Sequence, residues 1–177
     1  MSRIKNKLLA RIITRFPGLV DVEKMAGRIE PITVGESVGV EGVPWTPVTK
    51  PLSESKVALV TTSGVHLKSQ KPYDMVDPDG DPTYRAMPGD TTLDDYMITH
   101  DYYDHTDAER DINVVLPVTR LAELVEEGVL GSVAPVNYSC MGHITGEHVE
   151  TLMRDAAPEI ARSLVAEGVD VVILTPG

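Results

Sequence analysis

The sequence predicts an α/β domain: a Rossmann-like, mostly parallel sheet with flanking helices and one long polar insertion. Short apolar, β-branched runs at residues 56–62, 112–117 and 169–174 alternate with segments of helical period at 119–128 and 147–167. Strands that alternate with helices build parallel sheets. Residues 68–111 lie apart from this alternation, with little apolar periodicity and many Asp, Pro, Gly, Tyr and His residues. Structureless loops of that length are functional or disordered, and the charged and aromatic clusters here favour an ordered, functional insertion.

Residues 4–16 open the chain as an amphipathic helix, with Ile4, Leu8, Leu9, Ile12, Ile13 and Phe16 on one stripe. Pro17-Gly18 ends it. Residues 35–51, rich in Gly, Pro and Val, read as an extended arm anchored by Trp45. The run 56–62 is the clearest strand, and Ser63-Gly64-Val65-His66 is a loop off its carboxyl end. Residues 112–117 read as a second strand. Thr119 then caps a helix through Leu121, Leu124 and Val125 to Gly128, with Glu123 near the capping-box position. Residues 133–136 read as a third strand, and residues 137–143 as the loop after it. Residues 147–167 form a helix that Pro158 kinks or breaks. Gly168 closes that helix, and Val171-Val172-Ile173-Leu174 reads as a strand covered on both faces. The chain divides into an N-terminal helix and arm, residues 1–50, and an α/β domain, residues 51–177. Because the last strand ends at the tip of the sheet, the domain is expected to be incomplete at its C-terminus. A short domain that simply ends in a strand is the alternative.

Composition narrows the function classes. Hydrophobic residues make up 42% of the chain and charged residues 24%, as in ordinary soluble globular proteins. The net charge of −11 speaks against nucleic acid and anionic membranes as partners. The start is locally basic, with Arg3, Lys5, Lys7, Arg11, Arg15, Lys24 and Arg28. No run approaches the ~20 apolar residues that span a bilayer. The single cysteine, Cys140, allows no internal disulfide. Without a signal peptide this points to a reducing, cytoplasmic setting.

The loops leaving the carboxyl ends of strands are where ligands bind in open α/β sheets. That rule selects His66, the loop with Asn137, Ser139, Cys140 and His143, and whatever follows Gly177. Cys140 and His143 offer a thiol and an imidazole in one loop, as a nucleophile and its base; a buried, inert cysteine is the alternative. In the insertion, His100 and His105 flank Asp101-Tyr102-Tyr103-Asp104. That composition suits a metal site, but the spacing fits no helix face, and a hydrogen-bonded polar loop is the simpler account. No metal site is assigned. Arg85 carries the bidentate fork that grips carboxylates; a surface ion pair is its alternative. No phosphate-binding loop, dinucleotide fingerprint or Cys-x-x-Cys pair is present.

Several segments taken in order form a more specific ensemble. They are Pro44-Trp45-Thr46-Pro47, the run from Lys50-Pro51-Leu52-Ser53 through Thr61-Thr62-Ser63-Gly64-Val65-His66, Asp81-Pro82-Thr83-Tyr84-Arg85, His100-Asp101-Tyr102-Tyr103-Asp104-His105, Asn113-Val114-Val115-Leu116-Pro117 and Asp170-Val171-Val172-Ile173-Leu174-Thr175-Pro176. Together they resemble the selenoprotein B subunit family of glycine, sarcosine, betaine and D-proline reductases. The resemblance runs from about Pro44 onward. It implies an oxidoreductase subunit that takes part in reductive cleavage of a C–N bond α to a carboxylate. It also implies a partner subunit with a pyruvoyl group, a selenoprotein or thiol carrier, and a small amine carboxylate as substrate. The nucleophile it implies is a selenocysteine, or a cysteine in some relatives, in the loop beyond Gly177, so residues 1–177 are expected to lack it. No cofactor is expected within these residues. His66, His143 and Cys140 remain catalytic candidates, and Arg85, His100, His105 and Asn137 candidates for substrate binding. A non-catalytic binding or assembly module and a metal-dependent hydrolase on the His100–His105 loop are the competing classes.

Overall fold

The computed structural model describes Leu8, residues 11–13, residues 15 and 16, and residues 46–177. Leu8, residues 11–13 and Arg15 are helical, within the predicted helix 4–16. Trp45 and most of the predicted arm lie outside the described residues.

The central strand is β1, Lys56–Thr61. Its residues alternate between two apolar clusters, which is why a short apolar run becomes a strand here. Val57 and Leu59 pack on one side with Leu121, Leu124 and Val125. Ala58 and Val60 pack on the other with Ile160 and Leu164. These partners belong to helices on opposite faces of the sheet, described below, so the body is three-layered.

The long insertion is ordered and takes part in the sheets. After β2, Val65–Leu67, it contributes β3, Arg85–Pro88, β4, Tyr96–Ile98, and a short helix α1, Thr106–Arg110. β4 pairs antiparallel with β2. The predicted strand at 112–117 is instead a 3-10 turn, Ile112–Val114. The Asp111 carboxylate caps it by accepting from the Asn113 N–H at 3.0 Å. Ile112, Val115 and Leu116 are buried while Val114 is exposed, a helical spacing that an unbroken apolar run disguises. Helix α2, Val118–Glu126, follows. Its predicted cap is also different: Thr119 gives its N–H and hydroxyl to Asn113 Oδ1 at 3.1 and 2.8 Å.

The predicted third strand is two strands, β5, Ser132–Val133, and β6, Val136–Ser139. Both pair in parallel with β1 along the same edge, Val57 opposite Val133 and Val60 opposite Tyr138. Three steps on β1 thus face five on its neighbour. Asn137 Oδ1 fills the gap by accepting from the Leu59 N–H at 2.9 Å. The segment with Asn137 and Ser139, predicted as loop, is therefore ladder. The predicted helix 147–167 is α3, Glu147–Thr151, a π turn, Leu152–Ala156, and α4, Ala157–Ala166. Pro158 lacks an N–H, and the wider turn just before it lets the chain stay helical. Gly168, at φ +69°, ends it.

The last strand, β7, Val171–Thr175, lies parallel to β1 over its whole length. β3 joins β6 antiparallel. The sheet is therefore mixed, and the mostly parallel expectation fails at that edge, because the insertion folds back to supply β3. β7 also differs from the doubly covered strand expected. Leu174 is 75% exposed and Val172 40%, and among the described residues β7 pairs only with β1. No helix among the described residues is long and apolar enough to cross a membrane.

Candidate functional site

The carboxyl ends of β1 and β6 meet in a buried polar knot. Cys140 donates its N–H to Thr61 O at 2.8 Å, Gly64 donates to Cys140 O at 3.0 Å, and Ser63 forms a bridge with Met141. The hydroxyls of Thr61 and Ser63 lie 2.7 Å apart. Tyr73 donates its hydroxyl to Ser139 O at 2.7 Å. Burial raises the Tyr73 phenol well above its usual range, so it acts as a fixed donor.

Residues 100–106 cover this knot. Tyr103 donates its hydroxyl to Ser63 O at 3.0 Å. The His100 ring lies edge-on to Tyr102 and Tyr103, with centroids 5.9 and 4.9 Å away. His100 Nε2 is 3.3 Å from the Gly142 N–H and Nδ1 is 3.2 Å from the Tyr102 N–H. Burial pushes the His100 pKa down to about 4; neighbouring His143 and His105 add to this and Asp101 opposes it. His100 is thus neutral at pH 7, and its one free lone pair serves one backbone N–H at a time. His143 stacks on Tyr102 at 3.7 Å and 17°. His105, edge-on to Tyr103, places Nδ1 2.9 Å from Glu109 Oε1. The structure therefore brings Cys140, His100, His105 and His143 to one end of the sheet.

The other three selected residues are held by the fold. His66 is buried, with Nδ1 donating to Leu67 O at 2.8 Å and Nε2 accepting from Thr99 Oγ1 at 2.9 Å, so neither nitrogen is open to a substrate. Asn137 completes the β1 ladder. Arg85 gives its Nε–H to Lys71 O and its Nη1–H groups to Thr83 Oγ1 and Tyr84 O. Its Nη2 faces Pro72 O at 3.4 Å and Asp81 Oδ2 at 3.6 Å, and its guanidinium lies over Tyr73 at 4.3 Å. No donor pair is left for a bidentate carboxylate grip. Arg85 and Asp81 border an open cavity of about 500 Å³, shared with Lys71, Asp77 and His148.

Cys140 is 6% exposed, and burial pushes its thiol up to about 11 against the opposing pull of Arg85. Among the described residues no hydrogen bond links its thiol to a histidine, so the expected thiol–imidazole pair is not formed. At that pKa only about one thiol in 10⁴ is ionised at pH 7, a poor nucleophile. Among the described residues no three His, Cys, Asp or Glu side chains are gathered as metal ligands.

Sequence reading passed over the residues that hold His143. Pro78 O lies 3.0 Å from His143 Nε2, and Asp79 beside it accepts from the Thr145 hydroxyl at 2.6 Å. The signal was present as the turn sequence Asp77-Pro78-Asp79-Gly80-Asp81, but what it packs against is not written in it.

The model of the glycine/sarcosine/betaine reductase selenoprotein B family matches residues 33–177. The D-proline reductase subunit gamma of Acetoanaerobium sticklandii is 42% identical over 133 residues, which cover 75% of this chain and 53% of the relative. The glycine reductase complex component B subunit gamma of Symbiobacterium thermophilum is 36% identical over 137 residues, 75% of this chain and 31% of the relative. The sarcosine reductase complex component B subunit beta of Peptoclostridium acidaminophilum is 30% identical over 142 residues, 75% and 30%. The chain thus spans about half the length of the first of these and under a third of the other two. No solved structure matches it.

Proposed function

Because the chain belongs to the glycine/sarcosine/betaine reductase selenoprotein B family, we propose that it is the substrate-side scaffold of a reductase complex that cleaves the C–N bond α to a carboxylate. Its relatives are subunits of multi-component reductases, so partner subunits are part of the reading. We assign the pyruvoyl group to one of them and the reducing equivalents to a selenoprotein or thiol carrier. The nucleophile, a selenolate or thiolate, comes from outside the residues described here.

The observation that carries the reading is the gathering of His100, Tyr102, Tyr103 and His143 over the carboxyl ends of β1 and β6. In such a cleavage the nucleophile's electron pair forms a bond to the α carbon as the C–N pair leaves with nitrogen. The departing amine needs a proton, and His143, at the rim of the cluster, is our candidate to supply it. His100, neutral and buried, shapes the floor. The high thiol pKa of Cys140 supports a packing role rather than a nucleophilic one.

The test is amine-dependent oxidation of a dithiol by the assembled complex. D-Proline comes first because the 42% relative is a D-proline reductase subunit; glycine, sarcosine and betaine follow. Turnover with one of these amines is expected, and Cys140→Ser should stay within about twofold of it. No turnover with any amine overturns the reading. Loss of turnover in a folded Cys140→Ser variant overturns the assignment of the nucleophile. A second reading, a non-catalytic assembly module, is favoured by the uncovered apolar residues of β7. It leads if the complex turns over equally well without this chain.

A further inference from the structure

We propose that the turn at residues 77–81 is a positioning element for His143, holding its ring by Nε2–H so that Nδ1 is presented bare, as the atom that takes up the nucleophile's proton and passes it to the departing amine. The proposal rests on the acid–base reading of His143 given above and adds residues that touch no substrate.

His143 Nε2 lies 3.0 Å from Pro78 O. A carbonyl oxygen only accepts, so the hydrogen must be on Nε2; in the neutral ring Nδ1 is then the lone-pair nitrogen. No hydrogen-bond partner meets Nδ1 among the described residues. The flat stack on Tyr102 fixes the plane of the ring. One ring nitrogen and one face are thereby set, which leaves a single ring orientation.

The carbonyl of Pro78 is itself held in place. Asp79 O accepts from the Thr145 N–H at 2.9 Å, and Asp79 Oδ1 accepts from the Thr145 hydroxyl at 2.6 Å. Asp77 Oδ1 accepts from the Asp79 N–H at 2.9 Å, while Asp77 Oδ2 lies 3.0 Å from His148 Nε2. The turn is thus stapled to the chain on both sides of its carbonyl. Gly80 has φ +88°, and a Cβ there would lie 1.9 Å from His143 O. Only glycine allows the turn to come this close to the backbone of the residue it positions. The two segments are 65 positions apart in the chain, so the contact is made only in the folded protein.

The test is nitrogen and proton NMR of the His143 ring in the 177-residue chain, which needs neither substrate nor partner. Expected for the neutral ring is the single tautomer with its proton on Nε2, that proton being slow enough in exchange to be seen. Asp79→Ala and Thr145→Val should lose that protected proton while the rest of the spectrum stays folded. Asp79→Asn, which keeps an acceptor for Thr145, should restore it. In the complex, Asp79→Ala should lower kcat about tenfold with KM unchanged, as misplacement of an acid–base group does. A neutral ring whose proton sits on Nδ1 in the wild type, or an unchanged Nε2 proton in both Asp79→Ala and Thr145→Val, overturns the proposal. Full turnover by His143→Ala overturns the acid–base reading instead, and the NMR result then still decides whether the turn fixes the ring.

Discussion

Protonating His100 would charge a ring that is 4% exposed and enclosed by two tyrosine edges. Its folded pKa of about 4 lies below the usual histidine value. Between those two values the unfolded chain binds the extra proton, so stability rises with pH across that window and is lost as pH falls through it. The full effect is about 3 kcal/mol, from ~2.5 pKa steps of 1.36 kcal/mol each. Urea unfolding at pH 7 and at pH 4.5 should show most of that loss, and His100→Phe should flatten this part of the pH dependence. An unchanged slope in the variant would show that other groups govern the acid limit. Asp81 shows the opposite resolution of a buried charge. Burial is the largest influence and disfavours its ionised form, yet hydrogen bonds from the Thr83 hydroxyl, the Asp74 and Thr83 N–H groups and the Arg85 charge together hold its carboxyl below the usual range. Residue type singled out His100 and Arg85 from the sequence. It did not separate a histidine enclosed by rings from one held at the rim, or an arginine with spare donors from one without, since neighbours far along the chain make that difference.

Among the elements, β1 shows how one side chain completes a ladder that its neighbour strand cannot. The edge facing β5 and β6 is interrupted after Ala134, whose N–H still reaches Val57 O at 2.8 Å, and Asn137 Oδ1 accepts from the Leu59 N–H in place of a backbone carbonyl. Asn137→Leu keeps the volume but leaves the Leu59 N–H buried without an acceptor, which should cost about 1–3 kcal/mol. Denaturant titration checks this, and a loss below about 0.5 kcal/mol would show that the backbone rearranges to pair itself. The strand 56–61 was legible because both its faces are covered and it is β-branched. The run 112–117 misled because Ile112, Val115 and Leu116 face the core with helical spacing while Val114 is simply an apolar residue in water. Asn137 was placed in a loop because sequence periodicity does not register a two-residue offset between neighbouring strands.

For the whole molecule, the weak point is the outer edge of β7. It runs Val171-Val172-Ile173-Leu174 without a charge, and Leu174 is the most exposed of these at 75%. Unpaired apolar edges recruit other chains, and a lysine at such an edge opposes this. Leu174→Lys should therefore reduce concentration-dependent self-association of the isolated chain, read by light scattering, with little change in unfolding midpoint. Equal scattering by both proteins would place the association elsewhere. A three-layer body has α2 and α4 on opposite faces of β1, with the insertion closing over the carboxyl end of the sheet, where we propose the site to lie.

By itself the sequence determined the α/β class, the central strand, the two helices that cover it and the family, since each is carried by local periodicity or by an ordered set of short segments. The convergence of residues 63, 77–81, 100–106 and 140–145 at one pole was decided only in three dimensions. Side-chain period reports which face of an element is apolar, but it carries no record of which distant turn will supply the acceptor. The antiparallel β3, the enclosure of His100 and the carbonyl of Pro78 beneath His143 all depend on where the insertion returns, and that is fixed by packing and hydrogen-bond satisfaction across the whole fold.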